Sequence, residues 1–439
     1  MQVMKWSVIA LAVAAGTTQM AVASSQSESK GFVEDSSLNI LNRNYYFNRD
    51  FRNGASNGAS SSANPAGYRE EWAHGIMANY QSGFTQGTVG FGVDAQGFLG
   101  LKLDSGKGTV GSGLLPVGDD GRAQDDYSEI HGAVKVRISD TTLKYGEMYS
   151  AAPVFDTGDS RLLPETATGF SLQSAEIENL SLEAGHFTAK NTQSGTNSDN
   201  PLNAEYAGVD AESVDFIGGF YSINDNLSVG LYGAEAEDMW RQYYGNANLN
   251  LPIADGQNLN FDLNVYRTND TGDKLVGDVS NTTFSLTAAY TLGAHKFSLG
   301  HQRVNGDTPY DYIGGDSIWL AHSVQYSDFN GPEERSYQAR YDLNMAEYGV
   351  PGLTFMTRYT TGDNIDGTKA DASGAYAGFY GADGKHWERD IEAKYVVQNG
   401  AAKDLSVRVR NAVHRANDDQ GEGDINEVRV IVEYPLSVL

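Results

Sequence analysis

The stretch Leu259-Asn260-Phe261-Asp262-Leu263-Asn264-Val265 alternates apolar and polar side chains without a break. That period of two marks a strand with one face against hydrocarbon and one face against water. The same alternation recurs at Phe284, Leu286, Ala288 and Tyr290, at Leu353, Phe355, Thr357 and Tyr359, and at Val428, Val430, Val432 and Tyr434 near the chain end. Each run lies within a stretch of roughly ten residues, the length a tilted strand needs to cross a bilayer. Working outward from these runs, the sequence predicts an all-β transmembrane antiparallel barrel.

Turn chemistry counts its strands. Short turns are read at Thr85-Gln86-Gly87, Ser139-Asp140, Glu178-Asn179, Asn224-Asp225, Asp255-Gly256, Gly293-Ala294, Val350-Pro351-Gly352 and Asn399-Gly400. Each carries residues that favour tight hairpins. Eight hairpins, an opening strand around Leu38 to Phe47 and a closing strand around Val428 to Tyr434 give about 18 strands, an even number within the bacterial range. The polar stretches Asn53 to Tyr68, Ser105 to Asp126, Met148 to Thr168, Asn191 to Val209, Asn305 to Glu334 and Gly362 to His386 are the expected long extracellular loops. A soluble β-sandwich is the competing architecture, but it rarely needs so many strands in one domain.

Composition sets the compartment. Lys5, the apolar run Trp6 to Ala15 and the small residues Ala21-Val22-Ala23 have the form of a secretory signal, which leaves a barrel domain over 24–439. The chain has no cysteine, so packing and backbone pairing must stabilise the fold. With 50 glycines, 25 tyrosines and a mean hydropathy of −0.43, it is too polar for a helical membrane protein and too aromatic for disorder. A formal net charge of −26 argues against nucleic acid as a partner.

Alternation also assigns the lumen. If the apolar set of each strand faces lipid, then Lys135, Arg137, Lys144, Arg340, Arg358, Lys394, Arg408, Arg410 and Arg429 face inward, together with Asp262, Asp342, Asp390 and Glu392. Lys394, Arg408, Arg410 and Arg429 fall on consecutive strands and could form a basic strip down one wall. Guanidinium groups hold carboxylates bidentately, and a ladder of similar sites lets a solute enter without being trapped. The segment between Tyr145 and Phe170, with Pro153, Pro164 and Ser160-Arg161-Leu162-Leu163, mixes apolar and charged residues in a way that suits a loop folded into the lumen, with Arg161 at the narrowing. An ordinary outer loop has the same composition.

The stretches Arg43 to Asp50, Ser82 to Asp94, Ser160 to Pro164, Gln325 to Pro332, Val350 to Phe355, His414 to Asn417 and Tyr434 to Leu439 resemble the outer-membrane porin D family in order and over essentially the whole chain. The resemblance implies an 18-stranded barrel whose third loop narrows the pore, and a ladder at Lys394, Arg408, Arg410, Arg429 and Arg161. It also implies an opposing electronegative pocket at Asp316, Tyr326 and Asp328, suited to the ammonium end of a basic amino acid. The implied solutes are small carboxylates, most of all basic amino acids, short peptides and related carbapenem-type antibiotics. The implied surroundings are outer-membrane lipid and lipopolysaccharide, with the barrel a monomer or weak homotrimer. Two departures stand near the mouth: a longer Gly/Ser/Asn-rich segment from Asn53 to Gly67, and a shorter stretch from Pro309 to Gly315.

Other functions are weighed beside this one. No G-x-S-x-G or H-E-x-x-H motif is present, so the sequence names no nucleophile, cofactor or metal, and His131, His186 and His414 read as polar wall residues. A channel for aromatic acids, a nonspecific porin, an adhesin and a barrel with hydrolase activity are the alternatives.

Overall fold

The computed structural model describes residues 26–60 and 65–439; the expected signal, residues 1–23, lies outside them. Eighteen long strands form one antiparallel sheet. The first six are β1 (Ser37–Phe51), β2 (Tyr68–Gln81), β3 (Val89–Ser105), β4 (Asp126–Ile138), β5 (Thr141–Met148) and β6 (Thr166–Ile177). The middle of the sheet is β7 (Leu180–Asn191), β8 (Val214–Asn224), β9 (Leu227–Ala236), β10 (Trp240–Ala254), β11 (Gln257–Asp270) and β12 (Ser280–Leu292). The last six are β13 (His295–Asn305), β14 (Arg335–Asn344), β15 (Leu353–Ile365), β16 (Gly384–Val396), β17 (Ser406–Ala416) and β18 (Ile425–Ser437). Because β1 pairs with both β2 and β18, the sheet closes on itself and leaves no edge.

All eight expected turns join strands at one end of the barrel, while the long loops gather at the other. The tight turns depend on left-handed backbone: Asn179 has φ 64° and Gly256 has φ 70°. The opening and closing strands run further than the alternation suggested, because backbone pairing continues beyond the hydrocarbon layer. Outward positions carry Ile130, Leu231, Ile217 and Leu299, all at least 69 % exposed, as a lipid-facing surface requires. Among the described residues no helix is long and apolar enough to cross a membrane.

β1 departs from the expected polarity, since its inward face carries Tyr45 and Phe47 between Arg43 and Arg49. The reason is what fills the lumen. Loop 149–165 turns inward, so that Leu162 and Leu163 pack with Tyr45, Phe47, Ala73, Met77 and Phe98 and with Leu114 and Leu115 of loop 106–125. Burying a leucine contributes about 1.5–3 kcal/mol, enough to hold an apolar loop off the aqueous side. The loop backbone packs against Gly75 of β2, where a Cβ would stand 3.1 Å from the Leu162 carbonyl oxygen.

The same loop reaches the far wall. Tyr266 of β11 donates to the Pro153 carbonyl at 2.8 Å, whereas Arg43 of β1 donates to the carbonyls of Arg161 and Leu162 at 2.9 and 3.3 Å. In a closed ring of 18 strands, β1 and β11 lie nearly opposite one another. The loop therefore crosses the lumen. A second apolar cluster, with Phe155, Phe187, Phe216, Tyr266, Tyr310 and Trp319, seats loop 306–334 against it from the other side.

A closed barrel of this kind resists detergent until heated, so the purified protein is expected to migrate faster on a gel when unboiled than when boiled. Identical mobility in both states, with recovery in the soluble fraction after lysis, would refute the barrel.

Candidate functional site

The seam between β1 and β18 places charged side chains at fixed heights. Phe47 lies opposite Arg429, and Arg429 opposite Arg410 of β17; one inward position further up, Arg49 lies opposite Glu427. The buried Glu427 carboxylate accepts from Arg49 Nε and Arg429 Nε, both at 2.6 Å, and from Gln325 Nε2 at 3.1 Å. One carboxylate thus serves two guanidiniums. The Phe47 ring takes the guanidinium carbons of Arg49, Arg429 and Arg161 at 5.3, 5.4 and 5.8 Å from its centroid. Arginine rather than lysine suits this crowding, because a weakly hydrated planar cation can stack on a ring while its edge donates elsewhere.

The strip continues toward the short-turn end. Arg410 and Arg408 share Glu392 at 3.1 and 3.7 Å, and Lys394 lies opposite Arg408 with no ion pair among the described residues. Arg358 and Arg340 extend the wall sideways, bound to Asp390 at 2.5 Å and Asp342 at 2.7 Å. The cations expected on β16 to β18 stand on three adjacent strands, and three of the four inward carboxylates, Asp342, Asp390 and Glu392, are counter-ions of this wall. Lys135 and Arg137 face inward as expected but stand apart from it. Lys135 and Lys144 share Asp94 at 2.6 and 2.8 Å, while Arg137 donates to Gln26 and lies over the Phe84 ring at 4.1 Å, at the short-turn end.

Loop 149–165 brings the acidic side close. Arg43 clamps Asp159 with two contacts of 2.7 and 3.0 Å, and the Asp159 backbone N–H donates to Asp316 Oδ2 at 3.1 Å. Two residues further on, Arg161 donates through Nε to the Ser112 carbonyl at 2.8 Å. Asp316 is exposed to the lumen, yet the protein packed around it, and then Asp159 and Glu165, push its carboxyl up to about 6. Burial and the neighbouring Arg429 lower Arg161 to about 10, so it stays protonated at neutral pH.

The three expected pocket residues do not share contacts. Asp316 sits at the junction of the two inward loops, while the Asp328 carboxylate accepts hydroxyl hydrogen bonds from Tyr206, Tyr312 and Ser323 at 2.8, 2.9 and 2.6 Å. Tyr326 lies on the basic side, its ring under the Arg49 guanidinium at 4.6 Å and against His414 at 4.9 Å.

The arrangement has known counterparts. Residues 30–438 match the outer membrane porin, OprD family. Porin D of Pseudomonas aeruginosa is 61 % identical over the full length of both chains, and the porin-like protein GalP of Pseudomonas putida is 34 % identical over 94 % of this chain and 95 % of its own. The crystal structure of OprD from Pseudomonas aeruginosa superposes with a TM-score of 0.83 at 58 % identity, covering 95 % of this chain and 99 % of that one. OpdK of Pseudomonas aeruginosa, solved with vanillate, gives 0.82 at 35 % identity over 93 % and 100 %. The chain belongs to the OprD family.

It is thus a substrate-specific porin of the Gram-negative outer membrane. Sequence reasoning missed several residues of this porin's charged lumen: Arg43, Arg49, Phe47, Glu427 and Asp159. A signal existed for two of them, since Arg43 and Arg49 fall at the same parity on one strand. The intervening Tyr45 and Phe47 hid it, because apolar residues at inward positions make sense only once a loop packs on them.

Arg161→Ala takes a cation out of the crossing without touching the clamp, and Arg43→Ala releases Asp159. Single-channel recordings are expected to show a modest rise in conductance for Arg161→Ala and a larger, noisier one for Arg43→Ala. Unchanged conductance in both variants would mean that loop 149–165 does not limit the pore.

Proposed function

We propose that this porin passively admits small solutes bearing a carboxylate and favours those with a cationic second end, such as basic amino acids and short peptides. One observation carries the reading. Between Asp159 and Arg161, a single turn of chain links the Asp316 carboxylate to the guanidinium cluster of Arg49, Arg161 and Arg429. A solute crossing there meets acceptor and donor groups together, so a zwitterion with a basic side chain satisfies both. Lys394, Arg408 and Arg410 then offer further carboxylate sites toward the periplasm, with Arg340 and Arg358 beside them. The likeness to Porin D and to OpdK solved with vanillate supports a carboxylate solute, and carbapenem-type antibiotics fit the same two-ended chemistry.

A channel rather than an enzyme is the reading that the histidines support. Ser327, His386 and Glu334 do stand in a row, with Glu334 2.7 Å from His386 and Ser327 Oγ 3.5 Å from its other nitrogen. All three are buried, however, and that second nitrogen faces His414 at 2.9 Å, so Ser327 is not presented to a substrate as a nucleophile. Since one chain supplies the lumen, the crossing loop and both charged walls, each barrel conducts by itself, whether alone or in a weak trimer. Residues 1–23 are taken as the signal removed on export.

Uptake into liposomes tests the two ends separately. Arg410→Ala leaves Glu392 with Arg408 and removes one carboxylate site; Asp316→Asn keeps the size of the side chain. A charge-assisted hydrogen bond contributes about 1.5–3 kcal/mol, and screening in the wet lumen reduces that, so several-fold effects are expected. Arg410→Ala should slow every carboxylate solute, including aromatic acids, whereas Asp316→Asn should slow arginine and lysine but not glutamate. Equal losses for neutral sugars, or no loss for arginine in either variant, would end the two-ended reading.

Because its pKa is raised, Asp316 is charged above about 6 and neutral below it. Preference for arginine over glutamate is therefore expected to be full above that pH and to fade as the external pH falls through it. A preference that held flat across this range in the wild type would remove Asp316 from the selectivity.

A further inference from the structure

Three side chains converge at the outer rim, above the basic strip on the same strands. His386 closes the top of β16, His414 the top of β17, and Glu422 lies in loop 417–424 between β17 and β18. His386 Nδ1 is 2.9 Å from His414 Nε2, and Glu422 Oε2 is 3.8 and 3.6 Å from those two nitrogens. Both histidines are buried.

The far side of each ring fixes its tautomer. His414 Nδ1 lies 3.0 Å from the Gly423 carbonyl, which can only accept, so that nitrogen carries the proton and Nε2 is left with a lone pair. His386 Nε2 lies 2.7 Å from the buried Glu334 carboxylate and donates in the same way, which leaves Nδ1 as the lone-pair atom. Phe329 stacks on the His386 ring at 4.0 Å and holds its plane. Two lone pairs and a carboxylate oxygen therefore point into one small space. The donors nearby are Ser327 Oγ, 3.5 Å from His386 Nδ1, and Gln420 Nε2, which donates to Glu422 Oε2 at 3.0 Å and leaves that oxygen a second lone pair.

Such a convergence is repulsive unless something positive lies at its centre. A proton on His386 would satisfy His414 and leave Glu422 Oε2 with the Gln420 donor alone. A metal ion would satisfy all three. The point equidistant from three atoms at these separations is about 2.0 Å from each, which matches zinc–nitrogen and zinc–oxygen bonds of about 2.0–2.2 Å. The outer shell also has the form that metal-binding histidines use, with a carboxylate and a backbone carbonyl on the remote nitrogens.

We propose that His386, His414 and Glu422 bind a divalent transition-metal ion of the zinc type at the extracellular rim, with Glu334 positioning His386. The ion ties loop 417–424 to the barrel wall. It also backs Tyr326, whose ring rests on His414 on one side and under Arg49 on the other, so the site braces the mouth of the basic strip. Nothing in the spacing of these residues marks them in the sequence, since 28 positions separate the two histidines.

The test uses the full-length barrel purified in detergent, stripped with EDTA and dialysed. Titration with Zn²⁺ by calorimetry is expected to show one saturable site per chain, and Co²⁺ to give visible absorption of a low-coordinate nitrogen and oxygen site. Glu422→Gln and His414→Gln should abolish both signals, while Glu334→Gln weakens Zn²⁺ binding about 10–100-fold. Heat-dependent gel mobility shows that each variant folds; should His414→Gln fail that control, Glu422→Gln, altered in a half-exposed loop, decides the matter. No saturable Zn²⁺ site in the wild type would overturn the proposal. So would a site unchanged in Glu422→Gln, which would place the metal elsewhere, for example at Glu129, His131 and Glu147.

Discussion

In a hydrocarbon layer an unpaired backbone N–H or C=O costs several kcal/mol, so a sheet of 18 strands persists there only as a cylinder, and β1 must meet β18 in a single register. That seam organises the charged lumen. It puts Arg43 opposite Glu433, Phe47 opposite Arg429 and Arg49 opposite Glu427. A slip of one residue would turn these side chains out toward lipid and bring Asn44, Tyr46 and Asn48 into the lumen. The basic strip, the clamp on loop 149–165 and the aromatic platform under three guanidiniums all rest on this pairing of the chain's two ends.

The lumen is a core as well as a passage. Leucines and aromatic residues from loops 106–125, 149–165 and 306–334 pack inside the barrel, where a simple alternation of lipid and water faces would place polar groups. Packing them there solves two problems at once. It buries apolar loop surface, and it confines water to the remaining gap, whose walls are then the charged side chains. Within that gap the dielectric constant is lower than in bulk water, so a few charges act strongly on a passing solute.

Charge pairing then decides which cations stay available. The chain is acidic overall at −26, yet the strip is basic because its carboxylates are outnumbered locally: Glu427 serves Arg49 and Arg429, and Glu392 serves Arg408 and Arg410. Arg340 and Arg358, each with an aspartate of its own, have less charge to offer. Net charge was therefore a poor guide to the lumen.

Features were legible in the sequence to the degree that they are local. Strand number, the eight turns and the inward parity of Lys394, Arg408, Arg410 and Arg429 depend on a side-chain period of two and on turn chemistry, which a few adjacent residues carry. Those the sequence determined by itself. The role of Arg49 and Arg43, the inward fold of loop 149–165, the separation of Asp316 from Asp328 and Tyr326, and the meeting of His386 with His414 and Glu422 depend on which distant segments touch. Arg43 and Glu433 stand 390 positions apart in the chain and 2.8 Å apart in space. Only closure of the barrel brings them together, because register across the seam is a property of the whole sheet and is written in no single strand.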